Sequence, residues 1–311
     1  MDDEELEAYL KAGRVAAKIL KDAERVVKEG TRLIDICEIL EGQILEAGCK
    51  PAFPCNICIN EIAAHYTPAP LEDAIVPPNS LVKVDIGVHV NGFIADTART
   101  IVLNDGLRSL VSAAEDALRE AVKIVGPGVP VSDVGSAVEK VLKNWGFKPV
   151  WNLVGHQIAR YSLHMGTSVP NVGGSDGGRF EVDGVYAIEP FVTLREAAGE
   201  VSSLQEARIY RCLRYRKERG VRAGARRGGD GIEALVSKIW ENYRTLPFAE
   251  RWLLGILEVP KDRLWSLWET VKASGFVKGY PILIERTRRT VAQAEHTVLV
   301  TQKGCQVLTE L

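Results

Sequence analysis

The sequence predicts an α+β fold of two related halves, each with helices packed against strands, interrupted late in the chain by a helical insertion. The first of three observations behind this is an internal repeat. Residues 27–51 match residues 125–149 at a constant offset of 98 positions, pairing Gly30 with Gly128, Asp35 with Asp133, Glu41 with Glu139, Gly48 with Gly146, and Lys50-Pro51 with Lys148-Pro149. In each copy a helix ends at glycine, and a second helix starts near Asp35 or Ser132. That helix carries apolar residues at 3.6 spacing and stops at another glycine. The second observation is a β-branched stretch over residues 80–102, folded back at Asn91-Gly92. The third is a composition change near Arg208, where an arginine- and glycine-rich segment leads into a tryptophan-bearing helical pattern.

Taken in order, the acidic start Met1-Asp2-Asp3-Glu4-Glu5 leads into a helix. It lacks the basic and apolar runs of a signal peptide. Strands are expected over 80–90 and 93–102, then, after the second copy of the repeat, over 150–170 and 186–192. A glycine-rich loop, 173–178, lies between the last two. Without a lysine and a helix start it is not a phosphate cradle. Over 231–275, Trp240, Trp252, Trp265 and Trp268 have core-like spacing, and Pro247, Pro260 and glycines divide the segment into three short helices. Strands return over 280–285 and 291–301. The expected domains are 1–207 with 276–311 as one unit and 208–275 as the insertion.

Composition narrows the classes. A chain of 311 residues with 46% hydrophobic content supports a sizeable core, and a net charge of −2 argues against nucleic-acid binding by the protein as a whole. No stretch is long enough to span a membrane, so the cytoplasm is expected. The CxxC formed by Cys55 and Cys58 has no second copy and reads as strand, which favours structural cysteines over a redox or zinc pair.

Five potential metal ligands occur in strand-like settings: Asp85, Asp96, His156, Glu189 and Glu295. An oxygen-rich set of this size suits two divalent ions sharing carboxylates better than one catalytic zinc. With Asn91 and Gly92 at the turn, Asp96 falls opposite Gly87 and Asp85 lies two residues along the same face. Their Cβ atoms are then roughly 7 Å apart or somewhat less. His65 and His164 border the same segments, and His156 and His164 would share a strand face if no bulge intervened. Each of these residues alone has a plainer reading, a solvated acid or a hydrogen-bonded histidine. His89 and His296 receive no role.

Several segments together resemble the signature of type II methionine aminopeptidases. They are Ile62-Ala63-Ala64-His65-Tyr66-Thr67-Pro68, Lys83-Val84-Asp85-Ile86-Gly87, Ile94-Ala95-Asp96-Thr97, Gly155-His156 through Leu163-His164, Ala187-Ile188-Glu189-Pro190-Phe191, and Glu295-His296-Thr297. The resemblance covers nearly the whole chain in order. It implies the pita-bread α+β fold with two pseudo-symmetric halves and a winged-helix-like insertion. The short N-terminus resembles archaeal members. By the resemblance, Asp85 would chelate one ion, Asp96 and Glu295 would bridge two, and His156 and Glu189 would hold the other. The ions would be manganese, iron, cobalt or zinc. A water or hydroxide between them would be the nucleophile, with Glu189 shuttling its proton. His65 would contact the first peptide unit and assist the leaving amine. His164 would donate to the scissile carbonyl. Phe53, Tyr280, Leu163 and His164 would shape the methionine pocket. The implied substrates are Met-X termini of nascent chains with a small second residue, cleaved by a monomer. The basic segment from Arg211 to Arg227 reads as a solvated loop or, functionally, as a contact to ribosomal RNA.

Two other readings compete. A prolidase or aminopeptidase P would carry an additional N-terminal domain, and this chain begins almost at the first helix of the repeat. A non-catalytic, ribosome-associated relative would be expected to have lost ligands, whereas all five are present.

Overall fold

Helix α1 (Asp3–Val26) begins at a capping box: the Glu5 N–H donates to Asp2 and the Asp2 N–H donates to the Glu5 carboxylate. Its acidic first turn complements the positive end of the helix dipole. The computed structural model describes residues 1–174, 177–213 and 229–311. After α1 come α2 (Leu33–Glu46), β1 (Lys50–Ile59), β2 (Ile62–Ala64), β3 (Leu81–Val90) and β4 (Phe93–Val102). Strands β1, β3 and β4 form one antiparallel sheet, and α1 and α2 pack on one face of it. Ile36, Leu40, Ile44, Ile57, Val84 and Ile86 interdigitate in that layer.

The second half repeats the plan with α3 (Arg108–Ile124), α4 (Val131–Asn144), β5 (Lys148–Pro149), β6 (Gly155–Ala159), β7 (Ser162–Val169), β8 (Val185–Ile188) and β9 (Phe191–Thr193). It is completed from the C-terminus by β13 (Val291–Gln293), β14 (His296–Thr301) and β15 (Gly304–Val307), in the sheet orders β15-β14-β8-β6-β7 and β13-β9-β5. The repeat is structural. Helices α2 and α4 each have 14 residues, and Gly30 and Gly128 before them have φ of +78° and +76°. Gly48 and Gly146 after them have φ of +67° and +80°. These are left-handed positions that glycine adopts without steric cost, which is why the glycines recur at the offset.

Strands β10 (Val201–Cys212) and β12 (Val277–Glu285) pair as a long ribbon. Beyond it lie α5 (Gly229–Tyr243), β11 (Phe248–Ala249) and α6 (Lys261–Ala273). They enclose a separate core in which Trp268, Phe248 and Leu235 are buried. Of the three helices expected over 231–275, the middle one is a 3-10 turn, Glu250–Leu253. Pro247 precedes it, and Gly255 at φ +82° follows it.

Three expected strands are also divided. Residues 150–170 form a loop and the β6/β7 hairpin, turned at Tyr161 with φ +55°. The 186–192 and 291–301 strands break at Glu189-Pro190 and at Ala294-Glu295, where the chain passes between sheets. Proline lacks the N–H that would continue the ladder.

Candidate metal centre

The β3/β4 hairpin has the register its turn predicts. Asn91 and Gly92 have φ of +52° and +90°, as a two-residue primed turn requires. Gly87 pairs with Asp96, and Asp85 with Ala98. The two aspartates are therefore diagonal neighbours on one face. Strand β1 extends that face, with Asn56 opposite Asp85 and Phe53 opposite Gly87. A Cβ on Gly87 would come 2.2 Å from Phe53 Cε1, so the bare glycine lets the ring lie over the strand.

Threonines join this sheet to the ligand-bearing strands of the other half. The Asp96 N–H donates to Thr297 Oγ1 at 2.8 Å, and the Thr297 hydroxyl donates back to the Asp96 carbonyl at 2.7 Å. Thr97 donates to the Glu295 carbonyl and the Glu295 N–H donates to Ala98. Thr100 accepts the Gln293 N–H and donates to its carbonyl. The segments carrying Asp96 and Glu295 are thus fixed to each other by backbone contacts.

His156 lies on β6, and Glu189 and Glu295 lie at the two strand breaks. His156 Nε2 is 3.6 Å from Asp96 Oδ2 and 3.7 Å from Glu189 Oε1. One donor atom each of Asp96, His156 and Glu295 falls within a 4.8 Å cluster. His156 and His164 do not share a strand; they meet across the β6/β7 hairpin, whose register shifts between them, with ring centroids 4.3 Å apart. His65, at the end of β2, holds a left-handed φ of +65° that costs a non-glycine residue energy. Its Nδ1 is 3.2 Å from the Pro281 carbonyl, so Nδ1 carries the proton and Nε2 is left as an acceptor. The Tyr280 ring is 5.4 Å from the His65 ring and 6.0 Å from the His164 ring.

All of these groups line one cavity of about 200 Å³: Phe53, His65, Asp85, Asp96, His156, Leu163, His164, Glu189, Tyr280 and Glu295. His89 stands apart at the hairpin turn, and His296 faces away, bonded to Thr309. Cys55 and Cys58 are buried free thiols, and burial pushes Cys58 up to about 12. Residues 214–228, which include most of the basic segment from Arg211 to Arg227, lie outside the described residues.

The electrostatics suit a cation. Burial raises the Asp85 carboxyl to about 7. Burial first, then the neighbouring carboxylates, raise Asp96, Glu189 and Glu295 well above their usual range. Buried Oδ1 of Asp85, Oδ1 of Asp96 and Oε1 of Glu295 have no hydrogen-bond partner. Acceptors left bare in a low-dielectric site are costly, and divalent ions supply what they lack. Burial lowers His156 to about 4 and also lowers His65, keeping both imidazoles neutral. Dehydration, then His156 and His65, lower His164 as well, although it stands at the mouth.

Sequence reasoning missed two amides at the site. Gln293 Nε2 donates to Glu189 Oε2 at 3.4 Å and to Glu295 Oε2 at 3.3 Å. Its signal was a place two residues before Glu295. Asn56 lines the cavity with Nδ2 donating to the Pro54 carbonyl, and nothing in its surrounding sequence marks it.

Two half-sheets that each supply part of a buried, oxygen-rich donor set define a pita-bread metallohydrolase. Comparison with known proteins agrees. The model of metallopeptidase family M24 matches residues 7–302. The chain belongs to that family, among its methionine aminopeptidases. It is 42% identical over 307 residues to a methionine aminopeptidase of Thermococcus onnurineus, covering 98% of this chain and 100% of that protein. It is 39% identical over 310 residues to one of Methanocaldococcus jannaschii, covering 100% of both. Solved structures share the fold. A thermophilic Arx1 superposes with TM-score 0.80 at 18% identity, over 100% of this chain and 92% of that one. Methionine aminopeptidase from Thermotoga maritima superposes with TM-score 0.68 at 20% identity, over 100% and 98%.

Proposed function

We propose that the protein is a metal-dependent aminopeptidase that removes the initiator methionine from nascent chains, preferring a small second residue. The observation carrying this reading is the convergence of four carboxylates, Asp96 and Glu295 buried and Asp85 and Glu189 half-buried, and three imidazoles on one cavity beside Phe53 and Tyr280. Asp85, Asp96, His156, Glu189 and Glu295 would hold two divalent ions, manganese, iron, cobalt or zinc. When bound, such ions acidify water and polarise a carbonyl.

The chain's own groups do the rest. Glu189 accepts the proton from the attacking water and passes it toward the leaving amine. His164 donates to the carbonyl oxygen as charge develops there. His65, neutral and held at Nδ1 by Pro281, offers Nε2 to the first peptide N–H. Phe53, Leu163 and Tyr280 exclude water from the unbranched side chain, and crowding near the ions and His65 would disfavour a bulky second residue.

Within this reading residues 208–275 form a separate unit, and the protein acts as a monomer in the cytoplasm and contacts ribosomal RNA through the segment from Arg211 to Arg227. No helix among the described residues is long and apolar enough to cross a membrane. Salt-dependent co-sedimentation with ribosomes tests the contact. The decisive assay is hydrolysis of Met-Ala-Ser and Met-Gly peptides by protein loaded with manganese, cobalt or iron, beside a Xaa-Pro dipeptide. No methionyl cleavage with any ion would refute the reading, and cleavage of Xaa-Pro alone would replace it with a prolidase.

A further inference from the structure

Lys83 is a buried charge that the reaction does not use. It is 1% exposed, and its partners are carbonyl oxygens rather than carboxylates. Nζ donates to the Asn60 carbonyl and to the Val291 carbonyl, each at 2.8 Å. Burying an ammonium is costly unless its protons are taken up, and two strong acceptors are supplied here by the backbone.

The location of those acceptors matters. Asn60 sits at the turn between β1 and β2 with φ +46°, and its carbonyl also accepts the Val291 N–H at 3.0 Å. Val291 opens β13, which runs on to Gln293 and then to Glu295. Lys83 lies on the Asp85 face of β3, two residues before Asp85. Its cross-strand partner is Thr100, which holds the Gln293 backbone at both N–H and C=O. Two adjacent side chains therefore grip alternate residues of β13, one through a buried ammonium and one through a hydroxyl.

We propose that Lys83 is a positioning residue for the metal centre. Its ammonium locks β13 onto β3 and so sets where Glu295 and Gln293 stand relative to Asp85. The inference rests on the metal-site reading above. A neutral side chain of the same length would leave the Val291 carbonyl bare and free β13 to shift.

The test is Mn²⁺ binding, followed by calorimetry and by the electron paramagnetic resonance of the bound ion, on wild type and Lys83→Met. The variant is expected to fold and to bind Mn²⁺ about tenfold more weakly, the loss typical when a residue supporting a ligand is removed. Lys83→Ala should lose as much and regain it with n-propylammonium but not with tetramethylammonium. Unchanged Mn²⁺ affinity in Lys83→Met, or indifference of Lys83→Ala to the amine, overturns the proposal. Should neither variant fold, Lys83→Arg decides. Affinity near wild type supports the proposal, and a loss of about tenfold overturns it. A wild-type protein that binds Mn²⁺ yet leaves methionyl peptides intact would sink the proposed function alone. A wild type that binds no Mn²⁺ sinks both.

Discussion

Gln293 places one amide nitrogen between Glu189 Oε2 and Glu295 Oε2 and is itself 2% exposed. Two acids that repel each other share this neutral donor, which fixes how far apart their second oxygens stand. Gln293→Leu keeps the volume and removes the amide. We expect Mn²⁺ affinity to fall by about tenfold or more, with turnover falling alongside and the circular dichroism spectrum unchanged. Calorimetric titration checks it, and an unaltered Kd would show that the amide only fills space. The amide's placement also explains why sequence reasoning passed it by. A glutamine two residues from a glutamate in a strand has no distinctive spacing; its role exists because Glu189, over a hundred positions away, is brought to the same point.

The β3/β4 hairpin carries two ligands on one face and depends on its tip. His89 Nδ1 accepts the Gly92 N–H at 3.0 Å, so the ring is neutral there. Burial, with Lys50 adding to it, lowers its pKa to about 4. The folded value lies below the unfolded 6.5, so the folded protein binds fewer protons and loses stability as pH falls from about 6.5 toward 4. The loss from this group approaches about 3 kcal/mol once both states are protonated. Urea denaturation at successive pH values should show this slope in the wild type and a shallower one in His89→Gln. Equal slopes would remove His89 as its source. The hairpin is also the element most legible in the sequence, because a two-residue Asn-Gly turn and a period of two leave one register. The breaks at Glu189 and Glu295 were not legible, because they arise where strands change sheets.

At the scale of the molecule, the donors come from both halves: Asp85 and Asp96 from β3 and β4, His156, Glu189 and Glu295 from the other side of the seam. Without metal, each acid has a raised folded pKa. Stability then declines as pH climbs from about 4 through about 7, the value for Asp85, because the folded state must shed protons it holds more tightly than the unfolded chain. Bound ions reverse this, adding about 2.7 kcal/mol at a hundredfold excess over Kd. Melting temperatures with EDTA and with Mn²⁺ should therefore diverge as pH rises from 4.5 to 8, and parallel curves would contradict the assignment. The two-halves plan was readable because the repeat preserves glycines at left-handed positions, Gly30 with Gly128 and Gly48 with Gly146. The crossing that brings β13 against β3 left no such trace, and with it Lys83 and Thr100 were hidden. The division of donors also has a mechanical side. A cation held there would be gripped from both halves at once, so it would act as a clasp across the seam.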